Sequence, residues 1–328
     1  MRRGVIFRWA ALAVYAAVLV WFCATRGLPL DRERLFVWII VGLLVFAVGR
    51  PWRQAVRVLL DWVPLPLFLI AYDFSRGAAD GLGMHVFMKP QLDADRVLFF
   101  GQVPTVWLQQ HLDSAGKQPQ YWWEAIVSLT YTSHFVLPLV VAGWLYWRDR
   151  LAWRRYVNRW LFLSFSAVAL FCLAPTGPPW MAADQGLLPP VERIGTRGWS
   201  LLNLHGAGQW IDKAQHGDVA NLVAAVPSLH AGYAALVAVF FWPRVRPRLR
   251  PLLLIHPALM LFTIVWGGEH YVSDALVAYA FIALSFVVCN WAESRWARWR
   301  AERVPRERAV RPADGEPALV YARAQSDS

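Results

Sequence analysis

The chain has 328 residues, 57% of them hydrophobic and only 17% charged, with twenty tryptophans and a formal net charge of +11. A soluble domain carries about 25% charged residues, and long apolar runs recur here, so the composition excludes an ordinary water-soluble fold and predicts an all-α polytopic membrane protein. In a soluble protein such a basic balance would suggest a nucleic-acid partner. Here the positive charge falls between apolar segments, which argues against one.

Eight apolar segments are predicted to cross the membrane: Val5–Cys23, Leu35–Gly49, Ala55–Tyr72, Glu124–Trp147, Trp160–Pro175, Val226–Trp242, Leu252–Trp266 and Tyr271–Trp291. The first is long for the apolar core of a signal peptide and lacks a convincing cleavage site, so it reads as an uncleaved span. Pro64 and Pro66 interrupt the third, which neighbouring helices can tolerate by satisfying the freed backbone groups. Cys23, Cys172 and Cys289 sit inside apolar segments without metal-ligand spacing and read as buried small residues.

Most of the thirty-three basic residues fall on one side of these spans. Arg2, Arg3 and Arg8 are followed there by Arg50, Arg53 and Arg57, by the arginines of 148–159 and 244–250, and by the arginine-rich carboxyl-terminal tail. Both termini are therefore expected to be cytoplasmic, with the tail available to anionic lipid headgroups. Two long loops face the other side. The second half of Asp73–Trp123 (DADRVLFFGQVPTVWLQQHL) has an amphipathic pattern that suits the membrane interface. Thr176–Ala225 is rich in Gly and Pro and carries Arg193, Arg197, His205, Lys213 and His216. Loops of this length are usually functional or mobile. The residues after Arg300 read as a polar, disordered tail.

Ionisable groups that could do chemistry concentrate in two stretches, AVPSLHAGYA at Ala225–Ala234 and WGGEHYVSD at Trp266–Asp274. His270 and Asp274 are four residues apart, a spacing that shares one helix face and lets the carboxylate accept a hydrogen bond from the imidazole. That bond fixes the ring's tautomer and supports any cation formed on it. An acidic side chain in an apolar span needs a partner and makes function the default reading. Pro227 and Ser228 suit a helix start, with Pro in the first turn and Ser as the cap, and the free amides of that turn can hold phosphate oxygens. His230 has the same position on its own segment that His270 has on the last. A nucleophile with its orienter, plus a separate acid, is what covalent phosphoryl transfer requires. The topology puts both stretches, and PTGPPW at Pro175–Trp180, on the extracytoplasmic face.

PSLH followed by HYxxD resembles the second and third motifs of the phosphatidic acid phosphatase type 2 superfamily. Leu229, where the phosphatases usually carry Gly, and PTGPPW look more like the branch containing the fungal inositol phosphorylceramide synthases and their bacterial relatives, inositolphosphotransferase-like enzymes. The likeness extends over roughly residues 71–291.

The resemblance implies a six-helix phosphatidic acid phosphatase-like core within about eight transmembrane helices. It divides the chain into amino-terminal transmembrane helices (1–54), a membrane-embedded catalytic domain (55–292) and a basic cytoplasmic tail (293–328). It implies that His270 attacks phosphorus to give a phosphohistidine, that Asp274 supports it, and that His230 protonates the leaving oxygen and then deprotonates the incoming hydroxyl. The substrate would be a phospholipid or lipid phosphate, with water or a polyol such as inositol as acceptor, and neither metal nor other cofactor is called for. The superfamily's first motif, KxxxxxxRP, is missing here, which leaves its phosphate clamp to other residues. Ser228 and Arg76, in DFSRG at the end of a span, are the candidates. His134, inside the fourth segment, is a further possible site residue. Glu269 would either repel phosphate or bind a polar acceptor. PTGPPW reads equally well as a rigid turn with Trp180 as an interfacial anchor. The high Ala, Arg and Trp content suggests a bacterial plasma-membrane protein. The alternative is a non-enzymatic transporter or scaffold with a degenerate site, for which deeper intramembrane charges or inverted repeats would be expected.

Overall fold

The computed structural model describes residues 2–26, 32–81, 83–112, 121–203 and 221–303. His205, Lys213 and His216 and the tail beyond residue 303 lie outside the described residues. All regular elements described are helical. The α-helices are α1 (Arg2–Arg26), α2 (Arg32–Ala47), α3 (Trp52–Trp62), α4 (Pro64–Gly81), α5 (Lys89–Leu98), α6 (Pro104–His111), α7 (Trp123–Arg148), α8 (Arg150–Leu173), α9 (Pro179–Asp184), α10 (Leu229–Phe241), α11 (Ile255–Trp266) and α12 (Val272–Arg303). Two compact units are present, Met1–Phe286 and Val287–Ser328, the described part of the second being the continuation of α12.

Among the described residues, six helical stretches are long and apolar enough to cross a membrane: Ile6–Cys23, Trp52–Tyr72, Trp123–Arg148, Arg150–Leu173, Pro247–Trp266 and Val272–Glu302. Two of the eight predicted spans are shorter, Val37–Ala47 within α2 and the thirteen-residue α10. The break expected at the prolines of the third span falls at Val63, where α3 ends and Pro64 opens α4.

The fifth span starts ten residues earlier than the hydropathy suggests. α7 and α8 are joined by Asp149 alone, whose side chain caps α8 by accepting from the amides of Leu151 (2.9 Å) and Ala152 (3.0 Å). The arginines of residues 150–159 are thus the first turns of a helix rather than a loop. Beside them Asp61 accepts from the Tyr146 hydroxyl (3.1 Å) and from Arg150 (3.3 Å), so α4's neighbour α3 is tied to this corner.

The principal core is made where α3, α4, α7, α8, α10 and α12 meet, through residues such as Phe68, Leu145, Leu163, Phe171, Leu236 and Ile282. The loop helices α5 and α6 are amphipathic as expected, with one face packed on the protein. They turn Leu92, Asp95, Thr105 and Gln109 inward, and Leu92 and Val103 pack with Ala182, Leu188 and Tyr271. What they leave outward is the apolar tip between them, with Phe100 98% exposed and held at a φ of 54°.

A 3-10 turn at Arg197–Leu202 closes against the start of α7. A Cβ on Gly198 would stand 2.0 Å from the Glu124 carbonyl oxygen and 2.7 Å from the Ala125 nitrogen, both backbone atoms that cannot swing aside. The approach places the Arg197 guanidinium on the Glu124 carboxylate, both side chains buried. Gly198→Ala is therefore expected to cost about 1–3 kcal/mol and to lower Tm in detergent by on the order of 5 °C, read by a thermal-shift assay. Removing one partner of the ion pair, as in Arg197→Ala, should cost about 3–5 kcal/mol because the other charge is stranded. The double substitution Glu124→Leu with Arg197→Met should recover most of that loss in the same assay.

Candidate active site

Four segments distant in sequence are tied together by backbone hydrogen bonds at one end of the helices. The amide of Ser228, at the start of α10, donates to the carbonyl of Asp274 in the first turn of α12 (3.2 Å). Thr176, just beyond α8, donates its amide to Val223 (2.8 Å), accepts from the Ala225 amide (3.2 Å), and accepts the Val226 amide on its hydroxyl (2.8 Å). Phe87 donates to Pro175 (2.8 Å) and accepts from Gly177 (3.0 Å). Trp180, at the other end of PTGPPW, donates its amide to Gly268 (3.3 Å). PTGPPW is thus a brace between the lead-ins of both histidine motifs, which goes beyond the turn-and-anchor reading.

The local sequence explains how each histidine is presented. Ser228 is the cap of α10, its hydroxyl accepting the Ala231 amide (3.4 Å). Pro227 precedes the cap instead of occupying the first turn as expected. His230 follows in that turn, where amides lack helical acceptors. On the other side α11 ends at Trp266, and Gly268 turns the chain at a φ of 79°, a left-handed conformation that suits glycine. A Cβ there would also stand 2.7 Å from the Glu192 carbonyl oxygen. Gln109 of α6 clasps this corner, donating to the carbonyls of Trp266 (2.7 Å) and Glu192 (2.8 Å) and accepting from the Glu192 amide (3.0 Å).

Asp274 is fully buried, and its Oδ2 lies 3.2 Å from His270 Nδ1 and accepts the Tyr271 amide at 2.9 Å. With Nδ1 carrying the proton toward the carboxylate, the lone pair of His270 is on Nε2. The rings of His270 and His230 are 5.5 Å apart between centroids, tilted by 58°. His230 Nε2 is buried without a hydrogen-bond partner among the described residues. His134 stacks on His230 at 4.0 Å and on Tyr233 at 5.0 Å, and Tyr131 covers His230 at 4.7 Å. Three histidines therefore stand in a row, with the pairing of the outer one to Asp274.

The remaining expected residues are placed differently. Glu269 does not stand alone. It holds Arg193 in a two-point pair, Nε to Oε1 at 3.0 Å and Nη2 to Oε2 at 3.1 Å, and the guanidinium lies 4.8 Å from the Trp180 ring centre. The Ser228 amide is engaged with the Asp274 carbonyl and its hydroxyl with the Ala231 amide. Arg76 lies in α4, but its side chain is outside the described residues. No group of three His, Cys, Asp or Glu side chains placed to hold a metal is found among the described residues.

Three positioning side chains were not legible in the sequence: Gln109, Glu124 and Asp95. Asp95 of α5 is fully buried and accepts the amides of Ser273 (Oδ1, 2.8 Å) and Val272 (Oδ2, 3.0 Å). Burial pushes its carboxyl above the usual carboxylate range, and the bonds from Ser273 and Val272 draw it part of the way back. In DADRVLF it looks like one solvated charge among several, and no spacing links it to a helix 177 residues away.

Comparison with known proteins places the sequence in a family. The chain is similar to a phosphoinositol dihydroceramide synthase of Bacteroides thetaiotaomicron, 24% identical over 275 residues that cover 81% of this chain and 86% of the relative. The likeness read from Leu229 and PTGPPW points to the same branch. No solved structure matches. The family model described as the PAP2 superfamily matches residues 95–288, a stretch that contains both histidine motifs and PTGPPW, and the chain belongs to that superfamily.

Proposed function

We propose that this integral membrane protein transfers a phosphoryl-linked group between lipid and hydroxyl acceptors through a phosphohistidine on His270. The observation that carries the reading is the His270–Asp274 pair facing His230 across 5.5 Å between ring centres. The Nε2 lone pair of His270 forms a bond to phosphorus as the bond from phosphorus to the lipid-side oxygen breaks. His230 gives its proton to that oxygen. The acceptor hydroxyl then attacks phosphorus, its proton passes to His230, and the phosphorus–nitrogen pair returns to His270. Asp274 offsets the charge on the imidazole while it is bonded to phosphorus. The amides of Leu229 and His230 at the start of α10 face the oxygens on which charge develops, with Arg76 as a candidate cation.

The donor is a phospholipid or lipid phosphate that enters from the bilayer. The acceptor is a polyol such as inositol, or a lipid hydroxyl of the kind named in the product of the Bacteroides relative. Admission of water at the same position would make the same residues a phosphatase. The arginine pattern supports an active site on the extracytoplasmic face with both termini cytoplasmic.

Purified protein incubated with phosphatidylinositol and a panel of lipid phosphates, with and without inositol and a ceramide, should yield a new phosphoinositol lipid by mass. His270→Ala is expected to abolish turnover on every donor. His230→Ala should lose about 10²–10⁴-fold on a lipid donor and much less on a p-nitrophenyl phosphodiester, whose leaving group needs no proton. Parental turnover in His270→Ala would sink the mechanism. The proposed face is checked separately. Phe100→Cys, in a background lacking Cys23, Cys172 and Cys289, should react with an impermeant maleimide added outside intact cells. Labelling only after the cells are opened would reverse the topology.

A further inference from the structure

The last helix begins without a local cap for its leading amides. Tyr271 precedes its first residue and has no short oxygen to offer them, in contrast with Ser228 on α10. Asp274, in the third helical position, reaches back to the Tyr271 amide (2.9 Å), which is one arm of a capping box. The amides of Val272 and Ser273 are still without acceptors inside the helix. Both are taken by the two oxygens of Asp95, and the Ser273 hydroxyl donates to the neighbouring Gln91 carbonyl (3.2 Å). The box is completed from α5.

We infer that Asp95 is a positioning residue for the reaction, its carboxylate fixing the first turn of α12 so that the His270–Asp274 pair keeps its alignment toward His230. One acceptor would let that turn pivot. Two adjacent amides held by the two oxygens of one buried, planar group set both its height and its rotation. His270 lies two residues before this turn and Asp274 within it, so a pivot acts directly on the bond between them, which at 3.2 Å is already at the long end of the normal range. A second effect follows from charge. With carboxylates of Asp95 and Asp274 both on the leading amides of α12, this terminus is closed to a phosphate, and the uncapped amides of α10 on the His230 side are left as the anion-binding ones.

This inference rests on the proposed role of His270, and the test separates the two. Asp95→Asn keeps the shape but offers one acceptor and turns an NH2 group toward the second amide. Val272→Pro removes one of the two donors at the first helical position, where proline fits the backbone. With phosphatidylinositol as donor, Asp95→Asn is expected to lower kcat by about 10–100-fold with KM within about twofold, per folded molecule as judged by size-exclusion and thermal shift. Val272→Pro should lower kcat in the same direction by less. The double variant should be no slower than Asp95→Asn alone, since the bond lost is shared. Rapid-quench labelling should show slower formation of the phosphohistidine.

Parental kcat in folded Asp95→Asn beside an inactive His270→Ala would overturn the inference and leave the mechanism standing. So would a loss that tracks only the folded fraction. If Asp95→Asn does not fold, Val272→Pro decides: an unchanged kcat overturns the inference. Turnover by His270→Ala would instead remove the mechanism on which the inference stands.

Discussion

Asp274 is buried among apolar helices, where an ionised carboxylate is costly unless its oxygens are hydrogen-bonded. Its Oδ2 accepts from His270 and the Tyr271 amide while Oδ1 is buried without a hydrogen-bond partner among the described residues, and its own carbonyl accepts the Ser228 amide. The same residue therefore orients one histidine through its side chain and registers the other histidine's helix through its backbone. Everything else at this end of the protein can be understood as holding that residue in place. Asp95 grips the turn it sits in, Gln109 clasps the corner before it, and Thr176 and Trp180 brace the two approaching strands of chain.

The helical, membrane-spanning character was legible because apolar length is a strong signal that survives loss of all tertiary detail. The His270–Asp274 pairing was legible because a spacing of four on a helix nearly dictates contact. Span ends were less so. Hydropathy starts the fifth span where the arginines cease, whereas Asp149 caps the helix and carries it through them. Pro227 falls outside the first turn of α10 because Ser228 takes the cap.

What sequence could not supply was the long-range clasping. Asp95, Gln109 and Glu124 look like polar loop residues or helix-start acids, and only the folded arrangement buries them. The Glu269 side chain shows the same limit from the other side. Adjacent to the proposed nucleophile, it suggested a charge open to substrate, but Arg193, seventy-six residues away, holds both of its oxygens. A short-range pattern reveals which groups can do chemistry. It does not reveal which of them are already committed.

The link between the two histidine motifs, from the Ser228 amide to the Asp274 carbonyl, is made entirely of main chain. Every residue except proline has an amide to donate, and every residue has a carbonyl to accept. The register between the two helix starts at this link is therefore insensitive to which residues stand there, whereas the alignment of the His270–Asp274 pair also leans on the Asp95 side chain. A lineage could exchange the side chains at this link while the register of the two helix starts is kept. Sequence drift at those positions would then leave the two histidine motifs joined.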